Sequence, residues 1–474
     1  MGDQPSPQAA PAKGQLVRLC STAGIALALL TLPPPGGLDP AGYRTAVLFV
    51  VALLLWVTEA LPIGVTALLV LVLQPVFGIA NIRTAFGTFM SPVFFFVFAM
   101  FCIALVIVGS GLDRRFALWL LAKAGTDSRR VVFAFMAGTA GLSTIMSDVP
   151  ACAIFMALAL GVLTKAGISP GRSAFGKALM IGIPMASYIG GVATPVGSSV
   201  NIIGMHLIEQ HGGVRVPFVT WMLIGVPMVL VLVPFACGVL LYFYRPEIAS
   251  IGSMEEVASD RAGLGRLTAP ERKVLGILGT MMVLWIASSW FPQVDLTLVG
   301  VAGAITMFLP GIGLLTWKQA ERGIGWDVLF LLGAVTSLGA ASEATGLAKW
   351  IVTATLGGMA GWTAVAVVGA ISVLTVLVLF VLPIGPVVTA ILIPPIALLA
   401  RANGADPLLY TLPVAFTASC ALLLPLNPVA LITYSKGYYR MLDMFVPGLV
   451  VSAAWVVVLT GLMVVLVPLV GGTP

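Results

Sequence analysis

The chain has 474 residues, of which 59% are hydrophobic and only 9% charged, with 52 Gly and 32 Pro. A soluble protein carries roughly a quarter charged residues, and here the apolar residues fall in long uninterrupted runs, so a soluble domain is excluded. A membrane β-barrel would need alternating segments of about ten residues, and these are absent; the charge of +6 is the Lys/Arg excess of cytoplasmic loops, implying membrane lipid rather than nucleic acid as a partner.

In chain order, residues 1–17 read as a disordered polar tail rich in Pro and Ala, with no signal peptide to remove. Apolar runs long enough to span then begin near residues 18, 43, 61, 91, 176, 218, 273, 295, 326, 408 and 444. Two further apolar regions, 131–166 and 361–402, are broken by Asp148-Val149-Pro150 and by Pro383-Ile384-Gly385-Pro386. No helix runs straight through such centres. They read as re-entrant hairpins, which a membrane tolerates only where the backbone is buried or lines a cavity. "GGVATPVGSSVN" (190–201) and "LLLPLNPVA" (422–430) interrupt two more spans. The fold class expected is an all-α polytopic membrane protein, with about 11 transmembrane helices and two re-entrant hairpins.

These interruptions recur. "GSGLDRRFALWLL" (109–121) resembles "ATGLAKWIVTATL" (344–356) at an offset of 235, and the hairpin tips at 147 and 384 lie 237 apart. The pattern predicts a first repeat within 18–245, a cytoplasmic linker at 246–272 and a second repeat at 273–474. With the N-terminus in the cytoplasm, 19 of the 24 Lys and Arg fall inside, leaving Arg44, Arg83, Arg215, Lys349 and Arg401 outside. The repeats are then inverted, and paired broken segments mark a transporter's midplane site. The location expected is the cell (inner) membrane.

Asp148 is costly at bilayer depth, roughly 3 kcal/mol. Three roles are open to it: a charged ligand of sodium, a titrating group that couples transport to protons, or an acceptor at the following helix start. Glu59 and Asp327 read as satisfying backbone donors near helix starts. Trp221, Trp317 and Tyr438 read as interfacial anchors. The five Cys and two His have no metal-ligand spacing. HExxH and nucleotide-binding motifs are also absent, so neither an enzyme nor an ATP-driven pump is indicated.

The stretches "WVTEALPIGVTALL", "GSGLDRRFAL", "YIGGVATPVGSSVN", "GWDVLFLLGAVTSLGAASEATGLAKWI", "PVAFTASCALLLP" and "SKGYYRMLDM" run from about residue 43 to the C-terminus. With them the chain resembles the divalent anion:sodium symporters, which carry dicarboxylates, citrate and sulfate. The resemblance implies a homodimer with an elevator-type mechanism, and sodium or a proton as coupling ion with no other cofactor. It implies a cation site at Ser143, Ser147, Asp148, Gly197 and Asn201. It implies a site for a small anion, a di- or tricarboxylate or an inorganic oxyanion, at Ser147, Asp148, Thr194, Gly385 and Thr389. The chain departs from the family where a Ser-Asn-Thr triplet is expected at each tip. The first tip reads Ser147-Asp148-Val149 and the second Ile384-Gly385-Pro386, so a weak or absent second sodium site is expected. The alternatives are a cation or proton exchanger on a related fold, or a non-transporting membrane receptor.

Overall fold

The computed structural model describes residues 13–58, 60–251, 263–291, 293–355 and 362–470. Glu59, most of the N-terminal tail, the centre of the linker and residue 361 lie outside them. Regular structure among the described residues is helical, and two compact units are distinguished along the chain.

The first unit contains α1 (Lys13–Thr31), α2 (Pro40–Thr58), α3 (Ile63–Val76), α4 (Ile82–Phe89), α15 (Trp326–Ala344) and α16 (Leu347–Thr355). The first helix begins five residues before the span start expected at 18, because nothing at 13–17 stops it and Leu16 and Val17 extend its apolar surface. It lies on α2, where Tyr43 donates to the carbonyl of Leu29 at 2.7 Å. Between α3 and α15, Gln74 donates to the Ser337 hydroxyl at 2.9 Å, and Ser337 donates to the Ala85 carbonyl at 3.0 Å.

Pro62 precedes α3 and offers no side-chain cap. The acceptor comes instead from Asp327, whose Oδ1 takes the Gly64 N–H at 3.0 Å. The sequence places Asp327 at the start of its own helix; in the fold it serves a neighbour's. A Cβ on Gly64 would sit 2.8 Å from that oxygen, so the glycine admits the bond. Asp327→Ala is expected to cost about 1–2 kcal/mol by stranding this donor. It should lower the thermal midpoint by several degrees, whereas Asp327→Asn, which keeps an oxygen, should recover most of the loss.

The second unit runs from within α5 (Pro92–Ser110) through α6 (Leu112–Ala124), α7 (Ser128–Ser143), α8 (Asp148–Lys165), α9 (Ala174–Gly191), α10 (Ser199–Leu207) and α11 (Phe218–Phe243). It continues with α12 (Ala269–Ala287), α13 (Leu296–Phe308) and α14 (Trp317–Gly323), and resumes with α17 (Ala364–Val381), α18 (Gly385–Ala402), α19 (Pro407–Thr417), α20 (Pro428–Tyr434) and α21 (Met441–Val470). All eleven expected spans coincide with helices. By length and composition alone, eight helical segments among the described residues can cross a membrane, and four shorter apolar helices accompany them.

The duplication extends beyond the stretches legible as sequence. In order, α4, α5, α7–α8, α9, α10 and α11 are repeated by α14, α15, α17–α18, α19, α20 and α21. Each repeat has a helix–break–helix hairpin, then a helix, a break, a short helix and a long one. The second break opens at 418, the position 228 residues after the first at 190 that the repeat offset indicates, since α19 ends at Thr417. Ala418 to Ala421 contain no Gly or Pro to announce it.

Candidate functional site

The centre of the second unit is α9, buried along nearly its whole length. Gly190 lets α7 close on it, since a Cβ there would lie 2.2 Å from the Ala140 carbonyl. That contact brings the first hairpin tip onto the end of α9 and the break after it. Each hairpin also reaches the other repeat: α8 packs on α20, which follows the second break, and α18 packs on α10, which follows the first. The two tips and two breaks therefore form one crossed arrangement.

At the first tip, Ser147 has φ of 56° and is the only non-glycine residue with positive φ among the described residues. Such a conformation costs on the order of 1–3 kcal/mol and persists only where its surroundings impose it. Ser147 precedes α8 without capping it, and its hydroxyl donates instead to Asp148 Oδ1 at 3.1 Å. The backbone N–H groups of Asp148 and Val149 and the Ser198 hydroxyl also approach the carboxylate. The buried Ser198 hydroxyl makes no hydrogen bond, so it stands near Asp148 without satisfying it. Among the described residues no Lys or Arg forms an ion pair with Asp148.

The first break is held by hydrogen bonds that fix its carbonyls. Ser143 donates to the Ser187 carbonyl at 2.8 Å, Ser187 to the Asp148 carbonyl at 2.6 Å, and Thr194 to the Thr144 carbonyl at 2.6 Å. Asn201 donates to the carbonyls of Gly191 and Thr194 at 2.7 and 2.9 Å. Its Oδ1 is fully buried and accepts nothing. A Cβ on Gly197 would fall 2.5 Å from the Gly191 carbonyl and 2.8 Å from that of Ser143. The carbonyls of Gly191 and Ser143 therefore crowd Gly197, and the Asn201 amide that bonds the first of them leaves its own oxygen without a partner. Hard oxygens of this kind suit a small cation. The structure brings Ser143, Gly197 and Asn201 together, with Ser147, Asp148 and Thr194 around the same tip and break.

The second tip is poorer in side-chain oxygens. A Cβ on Gly385 would lie 2.7 Å from the Ala418 carbonyl and 2.9 Å from Val200. Thr389 is buried and donates to the Gly385 carbonyl at 2.7 Å. Both functions of the Asn427 amide are engaged, by the Pro383 carbonyl at 3.2 Å and the Val429 N–H at 3.2 Å. Thr417 and Ser419, which sequence reasoning passed over, bring two buried hydroxyls without partners to the second break.

Trp221 is a correction to the sequence reading. It is fully buried, stacks on Phe416 at 4.2 Å and donates to the Val192 carbonyl at 2.9 Å. A lone Trp near a span end reads as an interfacial anchor, but this one holds the first break. Beside it, a Cβ on Gly225 would lie 2.2 Å from the Val192 carbonyl. In the second repeat, one on Gly448 would lie 2.0 Å from the Leu422 carbonyl. Each long closing helix thus seats a glycine on its own repeat's break.

The sodium:sulfate symporter transmembrane region matches residues 13–471. The sodium-dependent dicarboxylate transporter SdcS of Staphylococcus saprophyticus is 28% identical, covering 96% of this chain and 92% of its own. The sodium-dependent low-affinity dicarboxylate transporter 1 of Caenorhabditis elegans is 26% identical, covering 88% and 86%. Among solved structures, the YdaH transporter of Alcanivorax borkumensis aligns over 96% of this chain and 97% of its own, with a TM-score of 0.50 and 14% identity. That likeness concerns the fold alone. An integral multi-pass membrane protein with this duplicated architecture, matched by the family over nearly its full length, is a transporter rather than an enzyme, and the chain belongs to the sodium:sulfate symporter family.

Proposed function

We propose that this chain is a sodium-coupled symporter of a small anion, a di- or tricarboxylate or an inorganic oxyanion, working by an elevator-type movement in a homodimer of the cell membrane with its N-terminus in the cytoplasm. The observation that carries the reading is the unpartnered Oδ1 of Asn201, whose amide nitrogen bonds the same Gly191 carbonyl that crowds Gly197. Ser143, Gly197 and Asn201 then supply neutral oxygens to sodium, with Ser147 and Asp148 adding a hydroxyl and a charge. The anion is held at Ser147, Thr194, Gly385 and Thr389, beside the starts of α8 and α18. The start of α18 lacks a side-chain cap, and an uncapped helix N-terminus favours negative charge. Bound sodium offsets the repulsion between Asp148 and an anion, which otherwise amounts to about 4 kcal/mol at 4 Å and an effective dielectric near 20. On this reading anion and cation load together.

Uptake of labelled succinate and sulfate into proteoliposomes tests the reading. An inward sodium gradient at equal pH should drive accumulation of at least one of them, and an equal potassium gradient should not. A second reading rests on Asp148 having no Lys or Arg ion-pair partner among the described residues: the cation is itself the cargo, exchanged for another. Sodium movement that proceeds at full rate with no anion present would select it.

A further inference from the structure

An anion held between the hairpin tips needs hydrogen-bond donors, and the side chains assigned to it have spent theirs inside the protein. Ser147 donates to Asp148 Oδ1, Thr194 to the Thr144 carbonyl and Thr389 to the Gly385 carbonyl. Asn427 is engaged on both sides of its amide. At the second tip Ile384 and Gly385 carry no side-chain donor, and Pro386 has no N–H either. An anion enclosed there without a further donor would lose hydration that nothing replaces.

Ser199 differs from all of these. It is the first residue of α10, and from Ala178 to Met205 every residue except Ser199 is buried. The partly exposed Ser199 therefore faces an opening in an otherwise closed stretch, and among the described residues its hydroxyl makes no hydrogen bond. Its neighbours fix where that opening lies. Ser198, just before it, stands beside the Asp148 carboxylate of the first tip. Val200, just after it, lies 2.9 Å from where a Cβ on Gly385 of the second tip would stand. Three consecutive residues span at most about 7 Å, so Ser199 sits between the two tips. Ser147, Asp148, Ile384 and Pro386 are partly exposed as well, as residues around one space would be. The side chain of Ser198 does not cap α10, and such a helix start favours negative charge.

We propose that Ser199 is the side-chain anchor of the transported anion, its hydroxyl donating to an oxygen of the carboxylate or inorganic oxyanion between the tips, with the first turn of α10 behind it. The assignment rests on the anion-transport reading and adds to it a residue outside both hairpins. An ionised Asp148 accepts hydrogen bonds but donates none, so the donor that the first tip lacks is supplied from the break. The second tip closes the space with the apolar side chains of Ile384 and Pro386 and with the start of α18.

Binding and uptake measured side by side test this. Succinate and sulfate are titrated against the thermal midpoint of the full chain in detergent with saturating sodium, and their sodium-driven uptake is followed in proteoliposomes. Ser199→Ala should raise the half-saturating concentration of the transported anion about 10- to 100-fold in both assays, the effect of losing one hydrogen bond to a charged group. The sodium concentration that half-shifts the midpoint without any anion should stay within about twofold, which a merely structural role would not ensure. Ser199→Thr keeps the hydroxyl and should stay within about threefold of the wild type. Ser199→Pro removes both the hydroxyl and the N–H. Ser198 is already extended, at φ −147° and ψ 143°, as a residue before proline must be, and the first helical position accepts proline. This variant should bind the anion at least as weakly as Ser199→Ala, with an unliganded midpoint within a few degrees of the wild type. Wild-type uptake together with unchanged half-saturating concentrations in Ser199→Ala and Ser199→Pro would overturn this assignment alone. No sodium-driven uptake of either anion by the wild type would overturn the transport reading, and this assignment with it.

Discussion

Asp148→Asn is expected to raise the sodium concentration for half-maximal uptake by about 10- to 100-fold, with the maximal rate largely kept at saturating sodium. The substitution preserves shape and leaves an oxygen beside Ser147, so only the charge is removed. A unit charge about 4 Å from a cation is worth roughly 4 kcal/mol at an effective dielectric near 20. Partial solvation and the neutral oxygens of Ser143, Gly197 and Asn201 keep the net loss to about 1.4–2.8 kcal/mol, which is that 10- to 100-fold. The sign of the pH dependence follows as well. Sodium and a proton compete for one carboxylate, so in the wild type sodium affinity should fall as pH falls, and in Asp148→Asn it should stay level. Sodium titrations of uptake at several pH values measure both effects. If the variant instead loses all response to an imposed proton gradient while its sodium response is unchanged, Asp148 is a proton carrier and the sodium assignment is wrong.

The reason Asp148 could be singled out from sequence is that polarity inside apolar runs is conspicuous. Hairpin centres announce themselves through Asp148-Val149-Pro150 and Pro383-Ile384-Gly385-Pro386, residues a continuous helix rejects. The same logic finds the first break, with its Gly, Pro and Ser. It misses what backbone geometry decides. Ser147 looks like any serine until its φ of 56° is known. The break at Ala418 is legible only through its 228-residue offset from the first, because its own residues are compatible with helix. Gly225 and Gly448 look like two more of the many glycines in membrane helices, since the carbonyls they admit lie more than twenty residues away in sequence. Asp327 illustrates the same limit: its type was read correctly as a donor's partner, but its partner, Gly64, belongs to a distant segment.

The number of sodium ions is the consequence that depends most on these hidden features. The second tip offers Gly385 where the first offers Ser147 and Asp148, and the Asn427 amide is already engaged, so one strong site is expected. Sodium activation of uptake should therefore be hyperbolic, with a Hill coefficient of about one. Two glycine substitutions separate the sites. Gly197→Ala puts a methyl 2.5 and 2.8 Å from two backbone carbonyls, distances at which backbone must move. Overpacking of this kind costs typically 1–3 kcal/mol, and here the displaced groups are the oxygens assigned to sodium. Sodium-driven uptake should fall by at least about 100-fold while the protein still folds, with a thermal midpoint lowered by only a few degrees. Gly385→Ala makes a similar intrusion on Ala418 and Val200 and carries a similar stability cost. Its half-maximal sodium concentration should nevertheless stay within about twofold of the wild type. A Hill coefficient near two, together with a large sodium shift in Gly385→Ala, would instead mean that the hydroxyls of Thr417 and Ser419 build a second site from the break rather than from the tip.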